Sequence, residues 1–504
     1  MMTLTPPDVF TNESVAQQLV EIGKEMEEAE DLYSDLLSAL HPNFRRSGTN
    51  LLHYLILRSK EIREIQEYLH QAGLSSLTNS ESHTLSQVKN VLSWLNHNHP
   101  LSPLGGCDFT TALWLRQSNA ERLLGIYPVQ DRPHIMVTFS AEMMIESALV
   151  EQMLNEGMSI ARINCAHDKE EDWLKMIEVL RKAEFKTGKT CKIYMDLAGP
   201  KIRVRSIAPL KATEKKQLKL KEGMELTLRY RASGKKTEEN DVIYVEPREI
   251  LSCVRVGEPI VFDDGKFEAT VVKVDPGAVV VRVVRISAKK PVLKPEKGIN
   301  LPNSDLKIAA LTPDDLRNIP FICKYADMVG YSFVISPEDV DHLRAELEKN
   351  GNGRRPSIIL KIERLGAIKN LPGLLLNGMK DESLGVMIAR GDLAVEIGFE
   401  RLSEIQEEIL WICEAAHVPV IWATQVLETM NKTGYATRSE ITDAAMGSRA
   451  ECVMLNKGPY IVKTISMLDD ILTRQMGHVH KKRYIMRPLN IARKFLETQA
   501  IRIV

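Results

Sequence analysis

The stretch SIILKIERLGAIKNLPGLLLNGMKDESLGVMIARGD, residues 357–392, decides the fold. It contains two short apolar runs separated by a segment of helical character, and each run ends in charged residues. Lys361 and Glu363 are two positions apart, so in an extended strand their side chains leave the same face, and Asp392 follows the second run. Because a buried charge is costly unless it is paired or binds a metal, these residues indicate one of two arrangements. Either a salt bridge caps a sheet, or two carboxylates hold a divalent metal beside a cation suited to a phosphate or an enolate.

The same pattern recurs along the chain from residue 134 onward. Short apolar runs are followed in most cases by amphipathic segments of helical length, and this alternation implies parallel strands joined by crossover helices. Eight such runs predict an α/β fold with a closed (β/α)8 barrel, a TIM barrel, and an open doubly wound sheet is the alternative. The predicted strands are residues 134–138, 159–164, 191–198, 326–333, 357–363, 385–391, 418–424 and 452–456.

Polar residues lie at or just after the carboxyl ends of these runs. In a (β/α)8 barrel the carboxyl ends of all strands meet at one rim, where active sites are built. The shared position of these residues therefore favours a single site at the mouth over unrelated structural roles. They are Thr138, Arg162, Asn164, Asp196, Ser332, Lys361, Glu363, Asp392 and Thr424.

Two regions depart from the barrel pattern. Residues 204–292 contain period-two and β-branched runs broken by Gly, Pro and Asp, which predict an inserted small antiparallel β domain, a β-barrel lid over the mouth. Residues 1–130 carry apolar residues at three- and four-residue spacing and predict a helical N-terminal extension with a linker. The remaining predicted segments are the two parts of the barrel, 131–203 and 293–475, and a C-terminal tail, 476–504.

Composition excludes several classes of partner. The 504 residues include 66 Lys and Arg and 67 Asp and Glu, for a net charge of −1, so no overall basic field attracts nucleic acid. The seven cysteines include no CxxC pair, which favours free thiols in a reducing compartment. We find neither a secretory signal nor an apolar run near the ~20 residues that span a membrane. We therefore expect a cytoplasmic protein that binds neither nucleic acid nor membranes and that forms a homo-oligomer.

Several segments resemble the pyruvate kinase family. KIERLGAI (361–368) is similar to that family's catalytic strand, and MIARGDLAVEI (387–397) is a near match to its metal-binding segment. The other matching segments follow the family's order from about His134 to Tyr460, and the family also carries a β lid after the third strand. They are SIARINCAHD, MDLAGPKIR, DDGKF, KGINLP, IWATQVLETM and TRSEITDAA.

The resemblance implies a glycolytic phosphotransferase that moves a phosphoryl group from phosphoenolpyruvate to ADP, giving pyruvate and ATP. It implies that Glu363 and Asp392 hold Mg²⁺ (or Mn²⁺), that Lys361 neutralises the transferring group and that Arg162 binds the phosphate. It gives Thr424 a part in delivering the proton to the enolate. The backbone of Ala389, Arg390 and Gly391 would bind the substrate carboxylate at a helix start, and Arg203, His167 and Asn164 would lie along the nucleotide path.

Other positions depart from the family's pattern. Asn164 and Asp196 remain from its potassium site, but Ala166 and Leu197 replace the usual Ser and Thr, and Lys201 stands where potassium-requiring members carry Glu. An ammonium there supplies a positive charge, so we expect that K⁺ is not required.

Altered rim loops keep two further hypotheses open. One is a catalytically weak or inactive homologue with a regulatory or binding role. The other is a barrel lyase or aldolase acting on pyruvate enolates, which the lid and Lys361 disfavour. The chain ends about fifty residues after the last predicted strand, which predicts that the family's C-terminal regulatory domain is absent.

Overall fold

The structure is a computed structural model, and its backbone falls into two compact units. One contains residues 1–161, 174–192 and 410–504, and the other contains residues 162–173 and 193–409. No helix among the described residues is long and apolar enough to cross a membrane. The described residues are 11–95, 101, 106–126, 132–144, 147–208, 217–230, 240–246, 248, 250–304, 308–351, 353–476, 478–480 and 483–484.

The N-terminal segment is helical, as the spacing of its apolar residues predicts. The first helix opens on a capping box in which the Thr11 and Ser14 side chains each accept from the other residue's backbone N–H. Its buried face, which includes Leu19 and Met26, packs in one core with Val88 and other residues of the fifth helix. The helices are α1 (Asn12–Leu32), α2 (Ser34–Ser38), α3 (Arg45–Arg58), α4 (Arg63–Gln71), α5 (Thr84–Trp94) and α6 (Phe109–Leu124).

This segment is tied by buried hydrogen bonds to residues that precede a barrel strand, all within the first unit. The Asn50 side chain donates to the Ala415 carbonyl at 2.8 Å, and that of Asn119 donates to the His417 carbonyl at 2.9 Å. His417 is fully buried, and its ring contacts the Ser47 hydroxyl at 3.0 Å. Arg116 pairs with buried Glu414 at 3.0 Å. The helical segment is therefore part of this unit's interior rather than a separate appendage.

The first part of the barrel alternates strands and helices. Its first and third strands are almost wholly buried, which explains their apolar runs, whereas the second also carries half-buried polar residues such as Arg162 and Asn164. The elements are β1 (His134–Thr138), α7 (Ser147–Asn155), β2 (Met158–Asn164), α8 (Glu170–Thr187) and β3 (Lys192–Asp196).

A second sheet interrupts the barrel after β3. Its seven strands are ordered β12-β8-β9-β10-β6-β7-β4, and Arg203 of β4 bridges Gly298 beside β12, so the sheet curls toward closure. The prediction of an antiparallel domain was wrong for one pair, because β6 and β7 run parallel. The elements are β4 (Arg203–Ala208), β5 (Leu218–Lys219), β6 (Glu225–Arg229), β7 (Asp241–Glu246), α9 (Ile250–Cys253), β8 (Pro259–Phe262), β9 (Phe267–Asp275), β10 (Ala278–Ile286), β11 (Val292–Leu293) and β12 (Ile299–Asn300).

The second part completes the barrel. All eight predicted runs form strands of one closed sheet in the order β1-β17-β16-β15-β14-β13-β3-β2, which confirms the predicted fold class. Apart from residues 478–480 and 483–484, residues 477–504 lie outside the described residues. The elements are α10 (Pro313–Tyr325), β13 (Met328–Tyr331), α11 (Pro337–Asn350), β14 (Ser357–Ile362), α12 (Leu365–Lys369), α13 (Leu371–Gly378), β15 (Leu384–Ala389), α14 (Arg390–Ile397), α15 (Leu402–Ala415), β16 (Val420–Ala423), α16 (Glu428–Thr433), α17 (Arg438–Met446), β17 (Cys452–Leu455), α18 (Ile461–Gln475), β18 (Val479–His480) and β19 (Arg483–Tyr484).

Candidate active site

Lys361 is the centre of the candidate site, near the end of β14. Only 7% of the residue is exposed, and its ammonium contacts three oxygen-bearing groups. Nζ lies 2.6 Å from the Ser332 hydroxyl, 3.2 Å from Asp196 Oδ1 and 3.0 Å from Glu363 Oε1. The strand order explains this gathering, because β3, β13 and β14 are neighbours and their carboxyl ends share one rim.

Asp196 joins Lys361 to a second cation. Arg162 donates from Nη2 to Asp196 Oδ2 at 2.6 Å, and the Tyr194 hydroxyl donates to Oδ1 at 2.9 Å. Burial alone would raise the pKa of Asp196, but Lys361 and Arg162 outweigh burial and hold that pKa below its usual value. Asp196 is therefore an ionised anchor that orients both cations.

The two cations stay protonated in this setting. Burial alone would lower the pKa of Lys361, but the charges of Asp196 and Glu363 reverse that effect and raise it. The pKa of Arg162 is likewise raised by Asp196 against the effect of burial. The rim thus presents a lysine and an arginine side by side, the residue types that bind phosphate oxygens.

Glu363 and Asp392 carry the carboxylates from which the sequence predicts a metal site. Glu363 is 3% exposed, and its Oε2 accepts the backbone N–H of Phe333 at 2.7 Å. Burial, together with the charges of Asp392 and Asp196, raises the pKa of Glu363 despite its pairing with Lys361. Asp392 accepts a hydrogen bond from Lys201 Nζ at 2.8 Å.

This donor set fits a hard divalent cation. Two carboxylates that disfavour each other's charge are stabilised by a shared Mg²⁺ or Mn²⁺, which prefers oxygen ligands and keeps several positions for water or substrate. The described residues contain no group of three or more His, Cys, Asp and Glu placed to hold a metal, so the candidate donor set is limited to these two carboxylates. The cations Arg162, Lys201 and Lys361 are each paired with carboxylates of this cluster, and Lys201 also lies 4.0 Å from Asp264. Because these cations are already matched by carboxylates, binding an anionic phosphate would need added positive charge.

The backbone that follows β15 turns directly into a helix. Ala389 precedes α14, which begins at Arg390, so the first N–H groups of this helix are not used within it. The helix start also places Asp392 in its first turn. This is the helix start at which the resemblance to the family implies binding of a substrate carboxylate.

The remaining predicted residues lie in other positions. Thr424 follows β16 in the first unit, at a positive φ of 69°. Arg203 begins β4 of the second sheet and donates to the Glu296 carbonyl at 3.0 Å. Asn164 ends β2 and accepts the backbone N–H of Ala166 at 3.1 Å, and the His167 side chain is exposed.

Sequence reasoning missed two parts of the centre, the Tyr194 hydroxyl and the Phe333 N–H. Tyr194 lies two positions before Asp196 on a buried strand, so the period-two rule that linked Lys361 and Glu363 also places these two side chains on one face. No side-chain pattern signals the Phe333 N–H, because its position depends on the backbone just after β13, where φ is 59°.

The fold and the rim define a (β/α)8-barrel protein with a cluster of paired cations and carboxylates at the carboxyl ends of its strands. A model of the pyruvate kinase barrel domain matches residues 131–464, about two thirds of the chain. The chain therefore belongs to the pyruvate kinase family, as its sequence motifs suggest.

Individual relatives agree with this assignment. Proteins named pyruvate kinase are similar to this chain at 31% identity in Sporosarcina psychrophila, over 64% of this chain and 53% of the relative, and at 31% in Bacillus licheniformis, over 66% and 55%. The relative from Thermococcus litoralis is 34% identical over 64% of this chain and 65% of its own length. The matches thus cover between 53% and 65% of these relatives.

Proposed function

We propose that the chain transfers the phosphoryl group of phosphoenolpyruvate to ADP. In this reaction the bond between phosphorus and the enol oxygen breaks, and a bond forms between phosphorus and an oxygen of the ADP β-phosphate. The enolate that is left takes a proton at its methylene carbon and becomes pyruvate. The observation that carries the proposal is the buried contact of Lys361 with Asp196 and Glu363 beside Arg162, in a member of this family.

In this proposal the two cations act by position and charge. Arg162 binds phosphate oxygens with donors in a fixed plane, and its bond to Asp196 sets the direction of that plane. Lys361 neutralises charge that develops on the transferring group, and Ser332, 2.6 Å from its Nζ, fixes its ammonium. Neither side chain has to form a covalent intermediate.

The family resemblance supplies further roles. Thr424 helps to protonate the enolate, and the backbone at residues 389–391 binds the substrate carboxylate at the start of α14. Asn164, His167 and Arg203 contact the nucleotide. These roles rest on the matching segments of the family.

Glu363 and Asp392 would hold Mg²⁺ or Mn²⁺, and the bound ion would supply added positive charge for the phosphate. We expect Asp392→Asn to raise the Mg²⁺ concentration for half-maximal rate by about tenfold or more, because the neutral amide is a poorer ligand for a hard cation. Measuring rate against Mg²⁺ concentration tests this expectation. Asp275→Asn on the second sheet is the control, and an unchanged Mg²⁺ dependence in Asp392→Asn would remove Asp392 from the ligand set.

Lys201 supports the proposal that K⁺ is not required, because its ammonium lies at the rim, 2.8 Å from Asp392. We expect the turnover rate to stay within about twofold when tetramethylammonium replaces K⁺. The Lys201 ammonium already supplies the positive charge that a bound K⁺ would otherwise provide. Lys201→Glu should make the rate depend on K⁺. A collapse of the wild-type rate without K⁺ would refute this part of the proposal.

A second candidate function is ligand binding without turnover. The observation that favours this second function is the ion pair between Lys201 and Asp392, because Asp392 is a proposed metal ligand. An assay with ADP, phosphoenolpyruvate and Mg²⁺, coupled to lactate dehydrogenase, separates the two candidates. Turnover supports the phosphotransferase. No turnover, together with Mg²⁺-dependent protection of the protein by phosphoenolpyruvate against thermal unfolding, supports the binding protein.

A further inference from the structure

Lys201 lies between two carboxylates that belong to different parts of the second unit. Its Nζ is 2.8 Å from Asp392 Oδ1, on α14 of the barrel, and 4.0 Å from Asp264 Oδ1, in the turn between β8 and β9 of the second sheet. The residue itself lies in the connection between β3 and β4, where the chain leaves the barrel for that sheet. One ammonium is therefore within reach of both parts.

The surroundings keep the ammonium near both partners. A Cβ placed on Gly298 would lie 3.0 Å from Lys201 Cε and 3.8 Å from both Lys201 Nζ and Asp264 Oδ1. The lysine stem thus passes through the space that a side chain at this position would fill. The ammonium has a short distance to travel from one carboxylate to the other.

The two carboxylates differ in exposure. The Asp392 side chain is 20% exposed, and that of Asp264 is 57% exposed. The ammonium on Asp392 occupies a position that the proposed function gives to a divalent metal, and the two cations repel each other. Loading of the metal therefore favours another partner for Lys201, and Asp264 is the other carboxylate among its described ion pairs.

Resting on the proposed function, we propose that Asp264 is a positioning residue that receives Lys201 when a divalent metal binds Asp392. While the metal is absent, Lys201 pairs with Asp392. When the metal is bound, Lys201 pairs with Asp264 and remains at the rim as a positive charge. Asp264 acts through Lys201 and needs no contact with substrate or metal. We call this transfer of the Lys201 ammonium from Asp392 to Asp264 the hand-over. It makes binding of the metal depend on a carboxylate of the second sheet.

Direct binding of Mn²⁺ to the full chain, followed by electron paramagnetic resonance without substrate, tests the hand-over. Lys201→Gln removes the competing ammonium and should tighten Mn²⁺ binding by about tenfold. Asp264→Asn removes the receiving carboxylate and should weaken it by about threefold in the wild-type background. Asp264→Asn should have no effect in the Lys201→Gln background, where there is no ammonium to receive. Asp275→Asn, the same change elsewhere on the second sheet, should leave binding unchanged in both backgrounds.

The double-mutant cycle separates hand-over from simple charge attraction. If Asp264 only attracts Mn²⁺, Asp264→Asn weakens binding equally in both backgrounds, and the hand-over is wrong while the proposed function stands. If Lys201→Gln fails to tighten Mn²⁺ binding, Lys201 does not compete with the metal for Asp392, and the hand-over is wrong. If the wild-type chain binds no Mn²⁺ at all, both the hand-over and the metal-dependent function are overturned.

Discussion

At the scale of single residues, Lys361 is at once a proposed catalytic group and a structural one. Its ammonium balances the buried carboxylates of Asp196 and Glu363. Removing one partner of a buried ion pair leaves an uncompensated charge, so we expect Lys361→Met to lower the free energy of unfolding by about 3–5 kcal/mol. The same variant should lose phosphoryl transfer. Urea unfolding and the coupled assay measure the two effects separately.

A double variant tests whether the lost stability comes from the uncompensated charge, and its inactivity alone assigns no role to Lys361 because Glu363 is a proposed metal ligand. Lys361→Met/Glu363→Gln removes one charge of each sign, so it should regain part of the lost stability and remain inactive. A variant that regains stability and turnover together would show that Lys361 acts only in folding. Retained turnover in Lys361→Met alone would also rule out its proposed catalytic role.

The sequence predicts the charged residues of the centre better than their partners. Lys361, Glu363 and Asp392 stand out because charges at the ends of apolar runs need an explanation. The contact of Lys201 with Asp392 joins residues far apart in the chain, and no local spacing rule reports it. The sequence offers a salt bridge and a metal site as alternatives. The two are compatible, because the carboxylates form ion pairs and also fit a divalent metal.

At the scale of elements, a glycine on β13 leaves room for the Asp196 side chain at the centre. Gly330 pairs in register with Asp196 on β3, and a Cβ at Gly330 would collide with the Tyr194 hydroxyl and the Asp196 carboxylate. We expect Gly330→Ala to lower the free energy of unfolding by about 1–3 kcal/mol through overpacking. It should also raise the KM for phosphoenolpyruvate, because Arg162 loses its orienting partner.

Gly373→Ala is the control for this change, because among the described residues a Cβ there would meet only Pro337, at 3.4 Å, an ordinary contact. Gly373 lies inside α13, where alanine is favoured over glycine by about 1 kcal/mol, so this variant should be at least as stable as the wild type. Equal stability and equal KM for both variants would show that β13 tolerates a side chain at Gly330.

The strands themselves were predictable, and the details of the second sheet were not. Most barrel strands are short and mainly apolar runs, because parallel strands covered on both faces bury most of their side chains. The parallel β6–β7 pair could not be foreseen, since period-two patterning reports which face a residue occupies and not the direction of its neighbour.

At the scale of the whole molecule, the N-terminal helices share a compact unit with β1, β16 and β17. The sequence predicts the helices but not their attachment, because the attaching bonds join residues more than 250 positions apart, as Asn50 and Ala415 do. Such contacts carry no local signal. We therefore expect the N-terminal helices to stabilise the barrel strands of this unit.

Asn50 tests that conclusion. It is fully buried, donates to the carbonyls of Glu81 at 2.7 Å and Ala415 at 2.8 Å, and accepts from the Thr84 N–H at 2.9 Å. Asn50→Ala deprives these buried groups of partners, so we expect the free energy of unfolding to fall by about 2 kcal/mol or more. Native-state hydrogen exchange should show lower protection in α3 and β16 together.

A matched control makes the Asn50 result specific. Asn350→Ala removes a single hydrogen bond within one turn, from the Asn350 side chain to the Glu346 carbonyl at 2.8 Å, and should change stability by about 1 kcal/mol or less. If Asn50→Ala lowers protection in α3 while β16 keeps its wild-type protection, the helices open independently of the barrel. A joint loss in both elements means that the N-terminal segment and this part of the barrel unfold as one cooperative unit.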